Sequence, residues 1–290
     1  MAKLLYQYEL IKLNGLLREP LVENAPLFLG LAVVWIAISY FLGGLNFAII
    51  FSKLFYHDDI RKYGSGNAGF TNMKRTFGMK AAIAVIVCDF LKTVLAVGIG
   101  ALLFGADIAT LAGVGCILGH CFPCLYGFKG GKGVAAAGAM VLVLDPIEFV
   151  ILISLFLLIV WGTKYLSMGS IMTLVLYPII HNRIYNYIHA SLLPNYFIKN
   201  GLYTSVPTLN GAVTDVADFT NTLVHTTTPV MVIVGIFLAT FVVIMHRTNI
   251  RRILDGKENR FYFGKKASEQ ATKSDPHRFD RLDDELNGKN

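Results

Sequence analysis

Hydrophobic residues occur in long runs that charged residues interrupt mainly at the ends, a pattern that predicts a chain of membrane helices. The first run covers residues 26–52, and six more follow at 81–104, 108–126, 134–144, 148–161, 166–184 and 227–245. A helix of about 20 predominantly apolar residues can cross a bilayer. We therefore predict an all-α polytopic membrane protein with about seven transmembrane helices, of which the fourth and fifth runs are the shortest.

Composition favours the same class of protein and argues against several others. The 290 residues are 54% hydrophobic and 16% charged, whereas soluble domains carry about 25% charged residues. This balance excludes a soluble globular enzyme and a disordered protein. The four cysteines lie within or beside apolar runs, which argues against an extracellular disulfide framework. The net charge of +7 is then a feature of a membrane protein, so we expect a lipid bilayer and no nucleic acid as partner.

The positions of lysine and arginine predict the orientation of the chain. Twenty of the 26 basic residues lie in the connections after the odd-numbered runs, including the carboxyl-terminal tail. Cytoplasmic loops carry an excess of Lys and Arg. This alternation predicts an amino terminus outside the cytoplasm and a cytoplasmic carboxyl terminus.

The chain divides into three parts. Residues 1–25 form an amino-terminal extension whose apolar residues fall on one helical face, which is typical of a helix lying on a membrane surface. Residues 26–263 form the membrane domain, with an outer loop at about 185–226, and residues 264–290 form a charged tail that we expect to be flexible. No internal repeat is visible in the sequence, which argues against a transporter built from duplicated halves.

The first cytoplasmic loop, residues 64–78, has the composition of an anion-binding loop. It contains glycines whose backbone amides can converge on an anion, together with neutral and charged hydrogen-bond donors. These residues are Gly64, Gly66, Gly69, Ser65, Asn67, Thr71, Asn72, Lys74 and Arg75. We interpret the loop as a phosphate- or carboxylate-binding site, and the alternative is a flexible connection between two spans.

The second cytoplasmic loop, residues 119–134, combines a histidine with glycines around two lysines. His120 is a candidate acid or base, and the alternative is a histidine that only hydrogen-bonds a carbonyl. Lys129, Gly130, Gly131 and Lys132 can surround a phosphate, although the spacing is not that of a Walker A loop. Cys121 and Cys124 are better explained as packing residues, because a zinc site needs two further ligands.

Three further polar groups accompany these loops. Ser167 and Ser170 lie on one face of the sixth predicted helix, and the alternative is that each hydroxyl bonds its own backbone. The basic cluster at residues 246–258 follows the last run and is in part a positive-inside anchor. Asp89 and Lys92, three residues apart within the second run, most simply neutralise one another, and the alternative is a functional role.

These motifs, in this order, resemble those of the bacterial acyl-phosphate:glycerol-3-phosphate acyltransferase family of the PlsY type. Residues 64–78 match G-S-G-N-x-G-A-T-N-x-x-R-x-x-G, with Phe70 in place of Ala. Residues 119–123 and 128–135 match G-H-x-x-P and F-K-G-G-K-G-V-A, and residues 163–171 resemble T-R-Y-x-S-x-x-S-I with Lys164 for Arg. Residues 246–258 match H-R-x-N-I-x-R-L-x-x-G-x-E, with Ile253 for Leu, and residues 89–93 resemble D-x-x-K-G with Thr93 for Gly.

The resemblance implies an enzyme of the bacterial cytoplasmic membrane, with seven spans and an active site that faces the cytoplasm. It implies acyl transfer from acyl phosphate to glycerol 3-phosphate, giving lysophosphatidic acid and phosphate at the start of phospholipid synthesis. No metal, organic cofactor, coenzyme A or acyl carrier protein is implied. The alternative function is an organic-phosphate or anion transporter. That alternative predicts ionisable residues spread along the spans, whereas the polar motifs here cluster at one membrane face.

The resemblance also implies roles for individual residues. The implied catalytic residues are Ser65, Gly66, Asn67, His120, Lys132 and Glu258. The implied substrate-binding residues are Thr71, Asn72, Arg75, Lys129, Gly130, Gly131, Ser167, Ser170, His246, Arg247 and Asn249. Within these sets we expect residues 65–67 to hold the acyl-phosphate head and the oxyanion. We expect Arg75 and Lys132 to bind glycerol 3-phosphate together with residues 170, 246 and 249. His120 is expected to orient the hydroxyl or accept its proton, and Glu258 to order the site.

Overall fold

A computed structural model describes residues 15–17, 24–185, 206–207, 213–214 and 216–261 of the chain. The predicted surface helix at the amino terminus, most of the predicted outer loop and the carboxyl-terminal tail lie outside these residues. The described residues form packed helices and one antiparallel pair of two-residue strands, β1 (Val206–Pro207) and β2 (Val213–Thr214). The helical class predicted from the hydrophobic pattern is therefore confirmed.

Each predicted apolar run contains a helix. These helices are α1 (Ala25–Gly44), α4 (Met79–Phe104), α5 (Ala106–Cys121), α6 (Val134–Leu144), α7 (Pro146–Thr163), α8 (Leu166–Ile180) and α9 (Val216–Met245). Three shorter helices lie between or after them: α2 (Phe47–Tyr56), α3 (Phe70–Phe77) and α10 (Arg247–Leu254). Turns of 3₁₀-helix occur at Ile60–Lys62 and Cys124–Tyr126, and a π-helical turn, His181–Tyr185, follows α8.

Four of the described helical stretches are long and apolar enough to cross a membrane: Ala25–Tyr56, Met79–Phe104, Ala106–Tyr126 and Pro146–Thr163. A fifth is obtained if α9 and α10, which are bent by 58° relative to one another, count as one span. Helices α6 and α8 are shorter, with 11 and 15 residues. The count of seven spans and the orientation of the termini remain predictions.

The first apolar run is not one continuous helix, because the chain breaks between α1 and α2 at Leu45 and Asn46. The Asn46 side-chain oxygen accepts a hydrogen bond from the amide of Ile49 at 3.2 Å and so caps α2. Its Nδ2 donates to the carbonyl of Ala68 at 3.3 Å, which links the break to the glycine-rich loop. Lys92 of α4 donates to the carbonyl of Leu45 at 2.7 Å. The break thus positions the loop that the sequence singled out.

Helices α1 and α5 approach one another backbone to backbone through glycine. A Cβ atom on Gly43 would lie 2.0 Å from the carbonyl oxygen of Cys116, and one on Gly119 would lie 1.9 Å from that of Tyr40. Small residues permit this kind of close helix contact in membrane proteins. The contact fixes the end of α5, and therefore the position of His120, against α1.

Two hydrophobic clusters hold the bundle together. The larger cluster joins α4, α5, α6, α7, α8 and α9 and includes Val97, Ile117, Met140 and Leu238, all at most 2% exposed. The smaller cluster packs α2 and α3 against the first turns of α4 and includes Ile49, Met73 and Val85. The short helix α3 is therefore anchored by its apolar face, which leaves its polar face toward the loops.

Candidate active site

A cavity of about 1000 Å³ opens where the two predicted loops, the start of α8 and the segment after α9 meet. It has a polar end at the loops and an apolar part between α4, α6, α7 and α8. Twelve of the seventeen predicted site residues line it: Ser65, Asn67, Thr71, Asn72, Arg75, His120, Lys132, Ser167, Ser170, His246, Asn249 and Glu258. Residues from four separate parts of the sequence thus share one site.

Asn72 lines the cavity but also organises the glycine-rich loop. Its Nδ2 donates to the carbonyls of Ile60 and Tyr63 at 3.1 and 2.9 Å, and its Oδ1 accepts from the amide of Ser65 at 3.1 Å. The side chain is almost fully buried, with 1% exposed. Gly64 has a φ of +56°, and a Cβ there would lie 2.3 Å from the Asn72 oxygen. The structure therefore gives Asn72 a loop-positioning role, and its predicted contact with phosphate stays a prediction.

Arg75, Lys132 and Arg252 are among the cationic side chains that line the site, together with Lys74 and Arg260. Arg75 has no ion-pair partner among the described residues, and its pKa is lowered by burial and by the nearby Arg252. Burial also lowers the pKa of Lys132 to about 8, with repulsion from Arg252 and Arg75 adding to the effect. Glu258 opposes this shift but does not cancel it. The site is therefore electropositive and suits an anionic ligand.

Glu258 is the hydrogen-bond hub of the site. Its Oε1 accepts from the Ser167 hydroxyl at 2.8 Å and from Asn249 Nδ2 at 2.7 Å, and its Oε2 accepts from Arg252 Nε at 2.7 Å. Burial raises the pKa of Glu258, but these three bonds together lower it below the usual value, so the carboxylate is charged at neutral pH. Asn249 also accepts a bond from Lys132. The hub thus connects α8, α10 and the second loop.

His246 and Ser170 line the cavity, and each already makes one hydrogen bond to a backbone carbonyl. His246 Nδ1 lies 2.9 Å from the carbonyl of Val242, so that nitrogen carries the hydrogen in a neutral ring and Nε2 is the acceptor. The Ser170 hydroxyl donates to the carbonyl of Leu166 at 2.9 Å, which is the backbone-bonding alternative considered from the sequence. Its oxygen retains acceptor capacity toward the cavity.

A buried charged cluster lies beside the cavity. Lys92 Nζ is 2.7 Å from Asp89 Oδ1, which confirms that these two residues neutralise one another. His120 Nδ1 lies 3.5 Å from the same oxygen and 3.3 Å from Lys92 Nζ. Asp89 and His120 both line the cavity. From the sequence alone, His120 and the Asp89–Lys92 ion pair were interpreted separately, because 28 residues separate Lys92 from His120.

Five predicted site residues lie outside the cavity lining. The amide of Gly130 donates to the carbonyl of Cys121 at 3.1 Å and that of Gly131 to His120 at 3.0 Å, so neither amide is available to a phosphate. A Cβ on Gly131 would lie 1.9 Å from His120 Nε2. The prediction that these glycines bind phosphate is corrected: their lack of a side chain makes room for the histidine.

The other three of these residues, Gly66, Lys129 and Arg247, also lie away from the main cavity. Gly66 and Lys129 line a separate cavity of about 570 Å³, where Arg61 also lies. The Lys129 carbonyl accepts from the Arg61 guanidinium at 3.2 Å. Arg247 is exposed on the first turn of α10. Their predicted contacts with the substrate find no support in the cavity lining.

Beyond Glu258, residues 259–261 also line the cavity, and the sequence did not indicate them. The amide of Phe261 donates to the carbonyl of Lys164 at 2.6 Å, and Lys74 Nζ lies 3.7 Å from the centre of the Phe261 ring. Arg252, which pairs with Glu258, was part of a basic cluster but was not selected as a site residue. The sequence signal for it was its position in the H-R-x-N-I-x-R-L-x-x-G-x-E motif, where it is the second arginine.

An apolar helical bundle whose cavity has a cationic, hydrogen-bonded mouth is typical of a membrane protein that binds an anionic ligand. Residues 33–256 match the family described as glycerol-3-phosphate acyltransferase. A protein of that name from Chlorobium luteolum is 35% identical over 245 residues, covering 80% of this chain and 97% of that protein. One from Finegoldia magna is 41% identical over 149 residues, covering 50% of this chain and 75% of that protein.

Solved structures extend the comparison to the fold. The crystal structure of PlsY, an integral membrane glycerol 3-phosphate acyltransferase, in its glycerol 3-phosphate form has a TM-score of 0.60 and 27% identity. It covers 80% of this chain and 96% of that one. Its lysophosphatidic acid form gives 0.60 and 26%, covering 80% and 95%. The chain belongs to the glycerol-3-phosphate acyltransferase family of the PlsY type, as the motifs indicated.

Proposed function

We propose that this protein transfers an acyl group from acyl phosphate to glycerol 3-phosphate and produces lysophosphatidic acid and inorganic phosphate. The observation that carries the proposal is the single cavity of about 1000 Å³, which joins a cationic polar mouth to an apolar space between helices. A phosphate group and a hydrocarbon chain are accommodated together by such a cavity. Relatives and structural neighbours named for glycerol 3-phosphate support the choice of acceptor.

The acceptor phosphate is assigned to Arg75 and Lys132. The planar guanidinium of Arg75 can bind two phosphate oxygens, and it has no ion-pair partner among the described residues. Lys132 adds a point charge, and its lowered pKa reflects a cation that an incoming anion would stabilise. Asn249 and Ser167 are held by Glu258, which supports a role in fixing the shape of this subsite.

The donor head is assigned to Ser65 and Asn67 of the glycine-rich loop, which line the mouth. In the reaction, a hydroxyl oxygen of glycerol 3-phosphate attacks the acyl carbon, and the bond from that carbon to the phosphate oxygen then breaks. Donors near the carbonyl stabilise the oxyanion that forms between these steps. His120 is assigned to orient the hydroxyl or to accept its proton, within reach of Asp89. Because phosphate is a stable leaving group, positioning supplies most of the catalysis.

The reaction is testable with the purified protein in detergent. We expect phosphate release from acyl phosphate only when glycerol 3-phosphate is present, with one lysophosphatidic acid formed per phosphate. Parallel reactions with acyl-coenzyme A or acyl carrier protein as donor should give no product, and chelators should leave the rate unchanged. Accumulation of glycerol 3-phosphate inside sealed proteoliposomes without acyl transfer would instead favour the transporter alternative.

We also propose that the protein resides in the bacterial cytoplasmic membrane with seven spans and its site facing the cytoplasm. The distribution of basic residues supports this orientation. A single cysteine at position 205 should react with an impermeant thiol reagent on intact cells, and one at position 268 should not, in a background without the native cysteines. Both positions lie outside the described residues, so the test depends on the charge pattern alone. Labelling at position 268 in sealed cells would overturn the orientation.

A further inference from the structure

The cavity continues from its polar mouth into an apolar branch, which we define by the lining residues Ile86, Phe90, Gly138, Val141, Phe149 and Leu152. Val134 and Val141 both line the cavity on α6, and seven residues of helix span roughly 10 Å. Helix α7 begins after a single connecting residue and contributes lining residues from Phe149 to Phe156, which is a similar length of helix. The branch is therefore deep enough to hold several methylene groups.

Gly138 and Phe149 are neighbours in the wall of this branch. A Cβ on Gly138 would lie 3.7 Å from Phe149 Cε2, with no other atom within 4 Å. The glycine therefore lies next to open cavity space, and an alanine would fit without a clash. The Phe149 ring packs edge to face against Phe90 of α4, with centroids 6.2 Å apart. Three helices thus meet at one level of the branch, where one contributes no side chain and the others contribute aromatic rings.

We propose that Gly138 and Phe149 set the upper limit on the length of the acyl chain that the protein accepts. This proposal rests on the proposed function, in which the reacting carbonyl lies at the polar mouth. The methyl end of the acyl chain then extends into the apolar branch, and each added methylene lies deeper. Burial of one methylene strengthens binding by about fourfold. That gain stops where the Phe149 ring fills the branch, and the space beside Gly138 is what lets the chain reach that level.

Two substitutions move this limit in opposite directions. Gly138→Leu places a side chain in the branch and replaces glycine by a residue that favours helix. The loss of room for about two methylenes should lower kcat/KM for long acyl donors relative to short ones by on the order of tenfold. Phe149→Ala enlarges the branch and should raise the relative kcat/KM for longer donors. Gly98→Leu is the matched control, because a Cβ there meets no atom within 4 Å and Gly98 does not line the cavity.

The experiment measures kcat/KM for acyl phosphates of increasing chain length with the full-length wild-type protein and the three variants. In parallel, lysophosphatidic acids of the same chain lengths are tested for stabilising each protein against heat, since a ligand stabilises the state that it binds. We expect the optimum to shorten in Gly138→Leu, lengthen in Phe149→Ala and stay constant in Gly98→Leu. Both readouts should move together.

The possible outcomes separate this proposal from the proposed function. If the wild-type protein transfers acyl groups but folded Gly138→Leu and Phe149→Ala keep its chain-length profile, the proposal is wrong and the function stands. If the wild-type protein shows no acyl transfer, the proposed function fails. The thermal stabilisation by lysophosphatidic acids of different chain length then tests the role of Gly138 and Phe149 by itself. That measurement requires only binding of the ligand and no acyl transfer. Phe149→Ala carries the test alone if Gly138→Leu does not insert into the membrane.

Discussion

Replacing Glu258 by Gln tests the hydrogen-bond hub of the active site. The substitution keeps the size of the side chain and one oxygen that can accept from Ser167 and Asn249. Its amide nitrogen cannot accept the bond from Arg252 Nε, which is 2.7 Å long in the structure. One charge-assisted bond is therefore lost. Such a bond is worth roughly 1.5–3 kcal/mol, so kcat/KM for glycerol 3-phosphate should fall by about tenfold to a hundredfold.

The same substitution should also change the pH dependence. Lys132 has a pKa of about 8, and the Glu258 charge raises it against burial and the nearby arginines. Only the protonated amine attracts the acceptor phosphate, so kcat/KM should decline as the pH rises through about 8 in the wild-type protein. Removing the negative charge lowers the pKa of Lys132 further. The alkaline limb of the profile should then move to lower pH in Glu258→Gln.

The assay is the pH profile of kcat/KM for glycerol 3-phosphate, which reports groups of the free enzyme. Asp58→Asn is the matched control, because it removes a carboxylate that pairs with Lys62 at 2.6 Å outside the main cavity. We expect the control to keep both the rate and the alkaline limb of the wild-type protein. A folded Glu258→Gln protein with an unshifted alkaline limb would refute the coupling between Glu258 and Lys132.

Three further substitutions test other parts of the site. Arg75→Lys keeps the charge but loses the planar guanidinium that can bind two phosphate oxygens. KM for glycerol 3-phosphate should therefore rise roughly tenfold to a hundredfold, while KM for acyl phosphate stays constant. A change confined to KM for acyl phosphate would contradict the assignment of Arg75 to the acceptor phosphate. Asn67→Ala should lower kcat, since an oxyanion contact strengthens as charge develops; an unchanged kcat with higher KM values would make Asn67 a ground-state ligand. Gly131→Ala places a Cβ 1.9 Å from His120 Nε2 and should therefore reduce kcat in protein that is inserted in the membrane. Gly162→Ala is the control, because a Cβ there meets no atom within 4 Å, and it should keep the wild-type kcat. Equal activities of the two variants would mean that the position of His120 is not critical.

The sequence by itself determined the class of the protein and most of the predicted residues that line its cavity. Apolar runs with few charges identify membrane helices without any knowledge of their packing, because an unpaired charge is costly in hydrocarbon. The loop motifs are contiguous in the sequence, so Ser65, Asn67 and Arg75 could be selected from their residue types and spacing alone. The resemblance to a known family added Glu258, which no local pattern would have selected.

Only the tertiary structure decided which of these groups share a site and what each one does there. Gly130 and Gly131 were expected to present amides to a phosphate, but those amides bond to the end of α5, and the missing side chains accommodate His120. Lys92 was recognised as the partner of Asp89, yet its proximity to His120 depends on how α4 packs against α5. Contacts between residues far apart in the chain follow from helix packing and from the burial of polar groups. Neither of these is recorded in the local periodicity of a sequence.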